Sequence, residues 1–479
     1  MVSGASLPGR LLEAAELAES VASEAGLTFF DVVFEMLDAR EVNALAAYGG
    51  FPTRYHSWRF GMEYESLARG HEWGLSKIYE LVINHDPTVA YLVRSNSFME
   101  QKLVMAHVFG HADFFRNSAW FAPTDRRMIQ RFERHARTIK AHSAELGQDR
   151  VEEFLDAALS LDTLIDPYAP QRRRLAQEAA QSSFQDSNAS SGRAGNAVAR
   201  ASRARLGALQ GEASVEVEAP GLEAAMDSPF DVLGFLAEHA EVEPWQRDIL
   251  RIVAYEAEYF APQRMTKIIN EGWASFWHSR LLTGGLLDAS EIIEFADCHS
   301  GATAASPGQL NPYKLGIDLF RYAEEKGLDL FRLRSVHNDV SFIDAVVDEE
   351  FVRRSKLFVM EAGSGAGAGR RPVIGSRDAE EIKGKLLAEL AWGGMPRIRL
   401  ESVPSTAGGV LVLRHEHDGR DLKLDEAGVL LRTVGRIWAG AVELLTQEGD
   451  ESRQLRFQGN ELSYGTGPRP CVGVADGGR

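Results

Sequence analysis

The chain has 479 residues, 44% hydrophobic and 25% charged, the balance of a soluble globular protein long enough for two or three domains and a large core. A formal net charge of -17 argues against a general nucleic-acid binder and against docking on anionic lipid. Two cysteines, Cys298 and Cys471, are no disulfide framework, no apolar run approaches ~20 residues, and no basic segment precedes an apolar one, so the expectation is a cytoplasmic protein without stable membrane insertion.

Residues 1 to about 48 read as helical, with a stripe from Leu11 through Ala22 and a further apolar run from Phe30 to Leu37. The aromatic, Gly- and Pro-punctuated stretch 49–72 reads as an ordered loop running into a helix. Leu75–Ile83 and Val89–Val93 are short apolar runs, strands or buried helical turns, that could form a hairpin around Asn84-His-Asp-Pro87. Helices are expected at 98–118, 124–146 and 150–165. From 171 to 227 Ser, Ala, Gly, Gln and Arg dominate without an apolar stripe, which predicts a flexible low-complexity insertion with solvated arginines. Helices resume at 230–239, 244–260, 262–282, 288–300, 312–326 and 339–352, with Pro244 and Pro262 at helix starts. Gly363–Gly369 is a linker in composition. Beyond 371 the pattern turns to strands at 397–403, 410–417 and 422–424, a turn at Asp418-Gly419, and helices at 377–391 and 425–437. The expected fold is a mainly α-helical N-terminal core, α+β overall, with a small C-terminal α+β domain. Its divisions are 1–170 with 228–360, the insertion 171–227, a linker 361–370, the C-terminal domain 371–465 and a disordered tail 466–479.

His107 and His111 carry the most chemistry. Four residues is about one helical turn, so both imidazoles share a face, a common grip on a metal ion. Glu100 lies seven residues earlier on the same stripe. Glu271 and His278 repeat the seven-residue spacing on a second helix, and a buried carboxylate is costly unless it is paired or ligating. His107, His111 and Glu271 are therefore candidate metal ligands, with Glu100 or His278 handling protons. The pattern is not the His-Glu-x-x-His motif of zinc peptidases, because the base position holds Val108. The plainer alternative is a set of buried histidines hydrogen-bonded to Glu100, Glu271 or the backbone.

Weaker candidates are His56, Arg59, Glu63 and Glu65, Glu256, His299, Tyr313 and Lys314. Arg59 and Glu63 could be a local i,i+4 pair. In His337-Asn-Asp339 a helix cap is the economical reading, and His415 with His417 read as solvated surface beside a turn. Phosphate-binding, dinucleotide-binding and serine-elbow motifs are absent, so no nucleotide cofactor is expected.

Several of these segments resemble the stage V sporulation protein R (SpoVR-like) family. They are His56-Ser-Trp-Arg-Phe-Gly-Met-Glu-Tyr-Glu, Gly74-Leu-Ser-Lys-Ile-Tyr-Glu, Ala106-His-Val-Phe-Gly-His-Ala-Asp-Phe-Phe, Leu159-Ser-Leu-Asp-Thr-Leu-Ile-Asp-Pro-Tyr, Ile269-Asn-Glu-Gly-Trp-Ala-Ser-Phe-Trp-His, Asn311-Pro-Tyr-Lys-Leu-Gly and Val336-His-Asn-Asp-Val-Ser-Phe-Ile-Asp. The resemblance implies a role in forming the spore cortex, or a broader stress-linked envelope function, alongside a PrkA-type serine kinase as protein partner. It names a process and no reaction, so the site residues rest on spacing. Joined to the spacing, it leads to a metal-dependent hydrolase holding zinc, iron or manganese; the alternative is a non-enzymatic regulator or adaptor with a structural histidine cluster.

Overall fold

Twelve of the 15 residues of the helix Lys267–Leu281 are buried, polar ones included, so it is a core element enclosed by others. The computed structural model describes residues 7–72, 80–190, 228–302, 310–362, 372–404 and 409–467. The helices Phe98–Asn117 and Pro312–Glu325 pack on this central helix. At the crossing points no side chain separates the backbones. A Cβ on Gly110 would stand 2.7 Å from Ala274 Cα, and one on Gly272 would stand 2.5 Å from Gly316 Cα. The three helices lie this close because glycine leaves nothing between them.

The two helices that carry the histidine and glutamate stripes start differently. Phe98–Asn117 is capped locally: Ser97 Oγ accepts from Glu100 N, and Glu100 Oε2 accepts from Ser97 N at 2.7 Å. Thr266 gives Lys267–Leu281 no side-chain cap. Its first amides, Ile268 N and Ile269 N, donate instead to Asp339 at 2.9 and 2.8 Å. A buried carboxylate pins the far ends of the same bundle. Asp113 accepts from Thr28 N, Trp273 Nε1, and Arg334 Nε and a terminal nitrogen, at 2.7–3.0 Å. Trp273 is on the central helix and Asp113 follows His111 by two residues, so this ion pair sets the rotation of both stripes.

The chain forms two compact units: Met1–Thr163 with Pro244–Pro396, and Leu164–Glu243 with Arg397–Arg479. In the first, β1 (Val32–Leu37) runs parallel to β3 (Thr88–Val93), and β2 (Glu80–Ile83) pairs antiparallel with β3, as the hairpin expectation required. The helical reading of residues 1–48 holds for Gly9–Glu24 and Ala39–Ala47 but not for β1. Six residues, five of them apolar, carry too little periodicity to tell a strand from a helical turn, and the parallel partner decides. Pro262 does not begin a helix. It lies inside Pro244–Met265, where its ring removes one donor from the backbone ladder, and the helix runs on to Met265 before the break at Thr266. The helix Ala379–Leu390, expected in the C-terminal domain, buries Ile382 in the main helical core.

In the second unit the sheet runs β8 (Glu461–Thr466), β7 (Glu451–Gln458), β6 (Val442–Glu448), β5 (Leu411–His415), β4 (Ile398–Ser402). Of these pairs β5 with β6 is the parallel one, joined by the helix Leu424–Trp438, which buries Leu431, Val434 and Trp438 toward the sheet. Residues 228–243 belong here: Leu400 N donates to Pro229 O, and the Phe235 and Trp438 rings lie 5.6 Å apart. The stretch expected to be flexible from 171 begins inside the helix Ala169–Ser190; 191–227, the linker 363–369 and the tail beyond 467 lie outside the described residues. The overall class is as expected, a helical core plus a small α+β sheet unit.

The Gly272→Ala variant places a methyl against the Gly316 backbone, which cannot yield. It is expected to lose ~1–3 kcal/mol, read as a lower urea midpoint, whereas Gly147→Ala, where nothing lies within 4 Å, is expected to lose only what its positive φ imposes. His415 offers a pH test. It is buried, with Nδ1 2.9 Å from Thr446 Oγ1. Burial first, and then His417, push it down to about 4. Below about pH 6.5 the unfolded chain gains a proton that the folded state resists, so stability falls as pH drops toward about 4. Urea midpoints at about pH 7 and pH 5 should show this loss, and His415→Gln should reduce it.

Candidate metal centre

One turn of helix separates His107 from His111, and the flush contact of Gly110 with Ala274 brings Glu271 up to both rings. Glu271 Oε2 stands 3.5 Å from His107 Nε2 and 3.4 Å from His111 Nε2. These three residues, all buried, are the ones whose ligand atoms gather within 4.8 Å of one another. The separations are too long for ordinary hydrogen bonds, and Oε2 accepts none. These two separations are of the size expected between ligands at about 2.0–2.2 Å on one ion, about 3.3–3.6 Å, and the three ligand atoms together lie within 4.8 Å.

The flanking groups orient the ligands. Asn270 Oδ1 lies 2.9 Å from His111 Nδ1; an amide oxygen only accepts, so Nδ1 carries the proton and the Nε2 lone pair faces Glu271. His107 Nδ1 lies 2.9 Å from His278 Nδ1, and His278 Nε2 lies 3.1 Å from His299 Nδ1, which makes a row of three imidazoles leading outward to a half-buried ring. Lys267 Nζ donates to Glu271 Oε1 at 2.5 Å. The Tyr313 ring stacks at 6.3 Å from His107, and Phe115 at 5.9 Å from His111. Burial alone would raise the Glu271 carboxyl, but His111, His107 and Lys267 overcome it and hold it well below the usual carboxylate range. Burial, then His107 and His299, depress His278 well below an ordinary imidazole, which keeps it neutral.

Of the five residues expected at the site, four converge. Glu100 does not: its carboxylate is committed to the start of its own helix, two turns from His107. Among the weaker candidates, His299 joins the imidazole row and Tyr313 borders His107. Lys314 pairs with Asp318 on the surface at 2.8 Å. Arg59 contacts Asp156 rather than Glu63, donating to its carbonyl at 2.9 Å, and Glu65 pairs with Arg69. His56 is exposed. Asn338 caps its helix as expected, at 3.0 Å from Ser341 N, while Asp339 caps the central helix. His417 pairs with Asp421, but His415 is buried, against its surface reading. The residues that sequence reasoning passed over are Asn270 and Lys267. Both sit beside Glu271, Lys267 at the i,i+4 spacing that could have flagged it.

Comparison with known proteins agrees with the motifs. The family described as "SpoVR like protein" matches residues 8–395, a span that contains every residue of the centre. A protein of Escherichia coli (strain K12) named only as uncharacterized protein YcgB is 29% identical over 450 residues, covering 85% of this chain and 86% of its own length. No solved structure matches.

A second buried polar cluster lies elsewhere in the same unit, around Glu256, whose placement the sequence left open. Its Oε2 accepts from Arg54 at 2.8 Å and from the Tyr55 hydroxyl at 3.0 Å, and its Oε1 lies 2.8 Å from His135 Nδ1. Arg54 also lies over the Phe132 ring at 4.2 Å. The Arg54→Ala variant strands a buried carboxylate and is expected to cost ~3–5 kcal/mol. The Arg54→Met/Glu256→Gln pair is expected to recover part of that, measured by urea unfolding.

Proposed function

We propose, for a chain that belongs to the SpoVR-like protein family, that His107, His111 and Glu271 hold one divalent metal ion with a coordination position left open, and that this centre serves metal-assisted hydrolysis in sporulation or stress-linked envelope remodelling. The observation that carries the reading is the Glu271 oxygen buried between two imidazole nitrogens at 3.4 and 3.5 Å without a hydrogen bond of its own. A buried carboxylate oxygen facing two imidazole nitrogens is costly unless a cation or protons stand between them. Three protein ligands with an open position are typical of a working metal, whereas structural zinc sites close with four. Two histidines and a carboxylate suit zinc, iron or manganese.

Bound metal would supply Lewis acidity and an activated water. The chain's own residues then have definite tasks. Asn270 sets the tautomer of His111, His278 shares one proton with His107 Nδ1, and Lys267 holds the second oxygen of Glu271 in place. Proton handling falls to His278, since Glu100 is occupied at its helix start. One observation favours the rival reading of a regulator or adaptor: Val108 holds the base position, Glu100 is withdrawn, and among the described residues no further Asp or Glu gathers with the trio. In either case the partner this reading expects is a protein, of the PrkA-type kinase pathway that the family resemblance brings with it.

Metal analysis of untagged protein is expected to give about one equivalent per chain. The His107→Ala/His111→Ala and Glu271→Gln variants should retain their far-ultraviolet dichroism and lose the metal. Wild-type protein that is folded yet takes up no zinc, iron or manganese overturns the proposal.

A further inference from the structure

A divalent ion held by two neutral imidazoles and one carboxylate keeps one net positive charge. Lys267, whose ammonium is 2.5 Å from Glu271 Oε1, adds a second. Asn270 and His278, which hydrogen-bond the two ligand imidazoles, are buried, and neither brings a negative charge. An excess of positive charge in a buried site is unfavourable until an anion completes it.

Access points the same way. The Lys267 side chain is 50% exposed, and Tyr313 is half-buried. The Lys267 ammonium lies 5.6 Å from the Tyr313 ring centre, and that ring stacks on His107. The partly exposed groups nearest the buried trio are therefore one cation and one aromatic ring. Asn270 and His278 occupy the inner side, and Phe115 lies against His111.

We propose that the open position on the ion, bordered by Lys267 and Tyr313, takes an oxyanion of the substrate, a carboxylate or phosphoryl group, with the Lys267 ammonium bonded to it. The inference rests on the metal reading above and adds the substrate's chemical class. No bond is made or broken in this step; an anionic oxygen replaces solvent on the ion.

The test uses full-length untagged protein loaded with stoichiometric Co2+, whose visible absorption reports its ligands. Acetate, inorganic phosphate and uncharged glycerol are titrated separately. Acetate or phosphate should change the spectrum saturably, glycerol should not, and the tighter of the two anions assigns the group. In the Lys267→Met variant, brought to a saturated Co2+ spectrum at whatever Co2+ concentration that needs, the half-saturation for the anion should rise ~10-fold or more, as loss of a charge-assisted hydrogen bond requires. Lys267→Arg should restore most of the affinity. A Co2+-loaded wild type that ignores both anions, or a Lys267→Met protein that binds them as tightly, overturns the inference and leaves the metal centre standing. Failure of wild type to bind Co2+ overturns both.

Discussion

The distance between three helix backbones governs this molecule. Gly110 lies flush on Ala274, and Gly272 on Gly316, so the central helix has a neighbour at backbone contact on each side. Helices separated by ordinary side chains sit about 8–10 Å apart. At that spacing a glutamate on one and two histidines on the other would meet only through extended conformers. Here Glu271 reaches between both rings without leaving its own helix surface. The glycines bring no chemistry of their own, yet they place every group that does.

The same closeness explains why so many polar groups tolerate burial. Asn270, Glu271, Ser275 and His278 are all buried on the central helix, and Asp113 and Arg334 are buried against it. Burial of such groups is unfavourable without partners, and nearly all have them: Asp113 accepts from a guanidinium, an indole and a backbone amide, and Asn270 and His278 each hold a ligand imidazole. Glu271 Oε2, which faces two imidazole nitrogens, accepts no hydrogen bond, and Trp277 Nε1 on the same helix donates none. A buried carboxylate oxygen left open opposite two nitrogens that can ligate is the pattern expected of a site that takes a cation.

The two stripes were legible because each follows from a fixed repeat. His107 with His111 and Glu271 with His278 are spaced by whole turns, and helical geometry alone puts each set on one face. That the stripes face each other was an expectation, which packing decides. Glu100 illustrates the limit. Its spacing from His107 was as good as that of Glu271 from His278, but Ser97 three residues earlier draws its carboxylate into a capping box. β1 illustrates another: Val32–Leu37 has no period of its own, and only pairing with Thr88–Val93 distinguishes it from a helical turn.

Local spacing and composition thus determined the helical core, the small sheet unit at the C-terminal end, and the two half-sites, because these depend on repeats of a few residues. Tertiary structure alone decided which carboxylate meets the histidines, which asparagine and lysine support them, and that Asp339 caps a helix some 70 residues earlier in the chain. Those facts depend on how near distant backbones can come, and that is settled where a missing side chain on one helix meets a missing side chain on another.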